Sequence, residues 1–131
     1  MSFNQVEIVR SGYGDFAKGN IPGVLAVFDP KIEWTETEGL PYGGTYIGHS
    51  ELVEKVFMRL GTEWDGFKVT PKEFLEAGER VIVLGQSSGT YKATGKSFRA
   101  DFAHVWTLRG GKAVKFVQYV DTALVQKAVQ S

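Results

Sequence analysis

The apolar residues of this 131-residue chain change rhythm at Phe67. Before it they recur every three or four positions, the spacing of a helix face; after it they alternate with polar residues, the spacing of a strand. Phe67 and Val69, then Phe74 and Leu75, mark an irregular strand that turns at Ala77-Gly78. Val81 to Tyr91, Phe98 to Leu108 and Ala113 to Val120 read as three long strands, joined by two-residue turns at Thr94-Gly95 and Gly110-Gly111. Strands that follow one another with so little chain between them pair antiparallel. The helical segments before them must cover one face, which predicts an α+β fold in a single domain over residues 1–131.

The helical part resolves into three pieces. Phe3, Val6, Val9, Tyr13, Phe16 and Ala17 share one face of a first helix, closed by Lys18-Gly19. Asn20 is placed to cap a second, carrying Val24, Leu25 and Phe28 and ended by Asp29-Pro30. Ile32, Trp34 and Glu36 then alternate as a first strand, and the glycine-rich "EGLPYGGTYIG" reads as a loop or lid. Ser50 is expected to cap a third helix with Leu52, Val53, Val56, Phe57 and Leu60 inward and Gly61 at its end. Asp121-Thr122 opens a short C-terminal helix.

Fifteen basic residues balance fifteen acidic ones. With no basic run either, nucleic acid is not an expected partner. No apolar run approaches the roughly 20 residues that cross a bilayer, and the polar, acidic start "MSFNQVEIVR" does not read as a signal peptide. The expectation is a soluble cytoplasmic protein. The absence of cysteine removes thiol nucleophiles and thiolate metal sites. With two histidines in the chain, no metal site is expected, and the scattered glycines form no phosphate loop or dinucleotide fingerprint, so no cofactor is expected.

One of those histidines, His104, interrupts the strand "DFAHVWTL". Two-residue turns set a register that places His104 opposite Gly85 and Val117. The same register puts Ser87 beside Phe102, Tyr119 beside Phe102 and Asp121 beside Ala100, with Trp106 next along. Glycine inside a strand often marks a place where something approaches closely. Gly85 and its small neighbours beside aromatic walls therefore predict a small-molecule pocket. Its expected lining is Tyr13, Trp34, Phe57, Gly85, Ser87, Phe102, Trp106, Val117 and Tyr119. The opposite face, with Ile82, Leu84, Val105, Phe116, Gln118 and Val120, is apolar enough for a subunit interface. A one-residue bulge would exchange these faces locally.

"AKGNIPGVLAVFDPKIEW", "GTYIGHSELVEKVF" and "FAHVWTLRGGKAVKFVQYVDTALV", in that order and spacing, resemble the nuclear-transport-factor-2-like superfamily. Within it the chain is most similar to SnoaL-like polyketide cyclases and ketosteroid isomerases. The resemblance implies a cone: a strongly curved antiparallel sheet with three N-terminal helices on its concave face, a ligand pocket inside, and a homodimer through the outer sheet face. It places His104 where the isomerases hold the protonated acid of their oxyanion hole, and Glu36 near their catalytic aspartate. Their oxyanion tyrosine aligns with Gly12 and not with Tyr13, a departure from the pattern. The cyclases use a histidine and an aspartate on the last strands, a pair that His104 and Asp121 resemble.

Together these features predict cofactor-free acid–base chemistry on a small apolar carbonyl compound, as an isomerase or cyclase. His104 would donate to the developing enolate oxygen, and Asp121 or Glu36 would remove the proton. The alternatives are a non-catalytic binding protein using the same pocket, a protein-interaction module, which would need an exposed apolar patch beyond the dimer face, and an epoxide hydrolase, whose Asp-Arg-Asp arrangement Arg99 and Asp101 evoke although the register turns both outward.

Overall fold

The computed structural model describes residues 4–131; Phe3, assigned to the first helix face, lies outside them. Asn4 caps α1 (Gln5–Ala17), its side chain accepting from the Glu7 backbone N–H at 3.1 Å. Asn20 does the same for α2 (Ile21–Ala26) through Gly23. That helix stops earlier than its apolar spacing suggests. The Val27 carbonyl accepts from the Ala113 N–H, and the chain passes into β1 (Phe28–Glu36), so Phe28 begins a strand. Part of the expected glycine-rich loop is a strand as well: β2 (Gly44–Ile47) pairs antiparallel with β1, Trp34 opposite Tyr46.

The third helix starts two residues before Ser50. Its N-cap position is Ile47, with no side-chain cap; instead the Glu51 carboxylate, inside the helix, reaches back and accepts from the Ile47 N–H. It runs as α3 (Gly48–Leu52), a π-helical turn (Val53–Phe57) and α4 (Met58–Glu63), passing through Gly61. The π turn widens the backbone so that consecutive residues, Val56 and Phe57, both reach the core.

β3 (Trp64–Ala77), β4 (Arg80–Tyr91), β5 (Ser97–Arg109) and β6 (Lys112–Val120) follow, and α5 (Thr122–Val129) closes the chain. The six strands form one curved sheet in the order β2-β1-β6-β5-β4-β3. Every neighbouring pair is antiparallel except β1 with β6, which is parallel. The expectation of a wholly antiparallel sheet is corrected there: the helices between β1 and the meander act as a crossover. Irregularities in β1, β3 and β6 bend the sheet around the helices. The main core lies between its inner face and α1, α2 and the third helix, with Ile32, Leu52, Val56, Val81 and Val83 fully buried.

Two register shifts separate expectation from structure, with opposite consequences. Between β4 and β5 the loop is longer than two residues: Thr90 pairs with Ser97, and His104 faces Val83. The slip is by two positions, so every side chain keeps its face. Between β5 and β6 the Gly110-Gly111 turn forms as read, with Arg109 opposite Lys112. Two pairs on, Leu108 meets Ala113 but Thr107 meets Lys115, leaving Val114 as an extra residue. This bulge inverts the rest of β6.

Gly85 is not an opening either. A Cβ there would lie 2.6 Å from the Phe102 ring and closer still to the Thr70 carbonyl, brought in by the irregularity of β3 at Pro71. The glycine admits a ring and a backbone, not a ligand. Gly85→Ala is therefore expected to destabilise the fold by about 1–3 kcal/mol through overpacking, read as a lowered melting temperature. An unchanged melt would show that the sheet yields at no cost.

Candidate active site

A cavity opens between the inner face of the sheet and the helices. It offers about 90 Å³ to the centres of water molecules, several times the roughly 10–15 Å³ that one water requires. Its walls are aromatic: Tyr13 and Phe16 from α1, Phe28 and Trp34 from β1, Phe57 from the π turn, Trp106 from β5 and Phe116 from β6. Towards the other end lie Tyr42, Trp64, Phe67, Phe98 and Val125, members of or packed against a second buried cluster beneath α5. Trp34 stacks on Phe116 with centroids 3.7 Å apart, and Trp106 meets both rings edge-on or tilted. Among the described residues, no lysine or arginine lines the space, and the one ionisable carboxyl there is Glu36.

Glu36 is there because β1 alternates. Ile32, Trp34 and Glu36 share the inward side, and the carboxyl is carried in with the core residues, 6 % exposed. Trp34 donates its indole N–H to Oε1 at 2.8 Å, and the Gln118 amide donates to Oε2. Burial pushes the Glu36 carboxyl up from 4.5 to about 7, against the pull of those two hydrogen bonds. Desolvation outweighs them because no cation shares the site.

The polar chain continues from Gln118. Its Oε1 accepts from His104 Nε2 at 2.8 Å. The Nδ1 of His104 meets the Tyr13 hydroxyl at 2.6 Å, and Trp106 donates to that hydroxyl at 3.0 Å. Ionised Glu36 only accepts, so in that state Gln118 presents its NH₂ to Glu36 and its carbonyl to the ring. His104 therefore carries its proton on Nε2, and Tyr13 donates to Nδ1. Phe102 stacks on the far side of the imidazole, 3.8 Å between centroids. Burial holds His104 down from 6.5 to about 3, against the Gln118 hydrogen bond, so the ring is neutral. Burial likewise raises the Tyr13 hydroxyl far above its ordinary range.

Of the residues expected here, His104, Glu36, Tyr13, Trp34, Phe57, Ser87 and Trp106 line the cavity. The others do not. Val117 and Tyr119 are turned to the outer face by the extra residue at Val114, and Tyr119 is 57 % exposed. Asp121 is exposed at the head of α5 and is not paired with His104. Phe102 packs behind the histidine, and Gly85 is filled by it. In exchange, the bulge brings in Phe116, Gln118 and Val120. The one signal for Gln118 is its being the lone uncharged polar residue in the run "FVQYV". Both nitrogens of His104 are engaged within the protein, so the ring acts on its neighbours and Glu36 is the group with a lone pair to offer.

Residues 9–116 match the SnoaL-like domain family. No curated protein matches the chain. Among solved structures, an NTF2-like protein from Burkholderia thailandensis is 42 % identical, covers 99 % of this chain and 100 % of its own, and superposes with a TM-score of 0.95. An NTF2-like protein of unknown function from Burkholderia pseudomallei is 36 % identical over the full length of both, with a TM-score of 0.90. TerC, co-crystallised with polyporic acid, is 32 % identical over 97 % of this chain and 98 % of its own, with a TM-score of 0.87. The inward-turned polar chain thus sits in a fold shared along the whole sequence, and the protein belongs to the SnoaL-like family of NTF2-like proteins.

Proposed function

We propose that the protein performs side-chain acid–base chemistry on a small hydrophobic carbonyl compound, as an isomerase or cyclase with Glu36 as the base. The observation that carries this is a buried carboxyl without a cation, poised near neutral pH at the wall of an aromatic cavity. A base whose pKa lies near the working pH is half ionised and strong enough to remove a proton beside a carbonyl. Glu36 would take that proton and return it at another carbon, or the enolate carbon would add to a second carbonyl of the ligand, whose C=O π bond opens and whose oxygen takes the proton back from Glu36. The charge leaving Glu36 would pass to an enolate beside the N–H groups of Trp34 and Gln118, which the protonated carboxyl holds less tightly than the carboxylate did. His104 keeps that set in order. The ligand is expected to be neutral on entry, since the walls hold no counter-ion for an acid anion. That TerC was co-crystallised with polyporic acid supports a small organic occupant.

All three tryptophans of the chain line the cavity, so ligand entry can be followed by quenching of their fluorescence. Aryl ketones that quench should exchange the hydrogen beside the carbonyl for deuterium when incubated with the protein in D₂O, followed by proton NMR. Quenching without exchange across the panel would leave a binding protein in place of an enzyme.

The outer sheet face supports a homodimer. Leu75, Ile82, Val105 and Val117 form a row across four strands, beside exposed Tyr119. An apolar strip on a strand face calls for cover. Light scattering should give twice the 14.5 kDa chain mass, and Val105→Lys should halve it. A monomeric parent protein would refute the interface.

A further inference from the structure

We infer that Gln118 is a positioning residue that couples the ionisation of Glu36 to the tautomer of His104, and through the ring to the direction of the Tyr13 hydroxyl. An amide has one donating and one accepting end, and here each end has a single partner: Glu36 Oε2 on one side, His104 Nε2 on the other. The indole of Trp34 at Oε1 and that of Trp106 at the Tyr13 oxygen only donate, so the two ends of the chain cannot reverse themselves. What remains free to turn over is the middle.

With Glu36 ionised, the amide NH₂ faces the carboxylate, Nε2 carries the imidazole proton, and the Tyr13 hydrogen is committed to Nδ1. With an N–H or O–H donor on the Glu36 side, the amide must turn its carbonyl there and its NH₂ to Nε2. That nitrogen must then be bare, the proton moves to Nδ1, and Nδ1 donates to the Tyr13 oxygen. The tyrosine hydrogen is then released towards the cavity it lines. The site would thus present a carboxylate acceptor in one state and a hydroxyl donor in the other, matched respectively to an acidic hydrogen and to a carbonyl oxygen. The exchange of tautomers is an equilibrium through solvent and not a step within one turnover. The titratable groups around Glu36 are few: His104 from β5, Tyr13 from α1 beyond it, and Tyr46 from β2, on whose hydroxyl the Glu36 charge acts. Among the described residues, no cationic side chain lines the space around it.

That this positioning serves the reaction rests on the proposed function; the coupling itself is read without substrate. The ring nitrogens of the two histidines, His49 and His104, are separable by ¹⁵N-edited NMR. In the parent protein at pH 8.5 the His104 ring is expected as the Nε2–H tautomer. Glu36→Gln imposes the reversed state, because Trp34 takes the new carbonyl and leaves an NH₂ facing Gln118; His104 should switch to Nδ1–H. In Gln118→Leu the link is cut, and adding Glu36→Gln should no longer change the tautomer. An Nδ1–H ring in the parent protein overturns the inference whether or not any variant folds. So does an Nε2–H ring in folded Glu36→Gln. If the tautomers switch but no ketone exchanges deuterium, the coupling stands and the proposed reaction falls.

Discussion

Glu36→Gln is expected to abolish proton transfer and, at the same time, to make the protein more stable above neutral pH. The amide keeps the volume and a hydrogen bond from Trp34 but cannot accept a proton. Loss of a general base costs about a hundred- to ten-thousand-fold in rate, which in the deuterium-exchange assay means a signal at background. In the parent protein the rate should rise with pH through about 7 and level off, because only the ionised carboxyl is active. The stability gain comes from the same burial. A carboxyl raised from 4.5 to about 7 in the folded state destabilises it at high pH by about 3 kcal/mol, at 1.36 kcal/mol per pKa unit. Glutamine carries no charge to bury, so its urea midpoint at pH 8 should exceed that of the parent. A variant that lost activity and stability together would assign Glu36 a structural place in the core.

How far such a site is legible in advance depends on what sets each residue's direction. The alternation of Ile32, Trp34 and Glu36 is a local property, legible in the sequence as a strand, and it carries the carboxyl inward with its two neighbours. His104 and Trp106 followed from the same rule in β5. The connection at Thr94-Gly95 is longer than a two-residue turn, yet without consequence, because a slip of two preserves the faces. The extra residue at Val114 did the damage, and nothing about valine announces it. A bulge near the start of β6 reflects how the strand must bend between β5 and the parallel β1, a demand made by the sheet and not by the residue. One displaced position removed Val117, Tyr119 and Asp121 from the site and delivered Gln118. Gly85 differs from its expected place for another reason. A strand glycine does mark close approach, but at Gly85 the visitor is the protein's own Phe102 and Thr70. Sequence spacing does not say which object occupies the gap.

Stability should be nearly independent of pH between about 4.5 and 6.5, because two buried groups oppose each other across that window. Glu36 is raised in the fold, from 4.5 to about 7. Between those values the folded protein holds a proton that the unfolded chain has released, so Glu36 makes stability fall as pH rises. His104 is lowered in the fold, from 6.5 to about 3. Between those values the unfolded chain takes a proton that the folded one refuses, so His104 makes stability fall as pH drops. The slopes are equal and opposite where the windows overlap. Below 4.5 only the histidine acts, and stability should fall steeply towards pH 3. The full histidine effect is about 5 kcal/mol at the same 1.36 kcal/mol per unit, comparable to the whole stability of many domains. Glu36→Gln removes one side of the balance, and its acid loss should begin near pH 6.5. His104→Phe removes the other. That variant leaves the Tyr13 hydroxyl and the Gln118 carbonyl without their partner and starts from a lower stability, but its stability should rise as the pH is lowered from 7 to 4.5. Urea unfolding of the three proteins from pH 3 to 8 reads these slopes directly. If Glu36→Gln and the parent ran parallel between 4.5 and 6.5, Glu36 would not be a buried group with a raised pKa, and both the base and the balance would have to be abandoned.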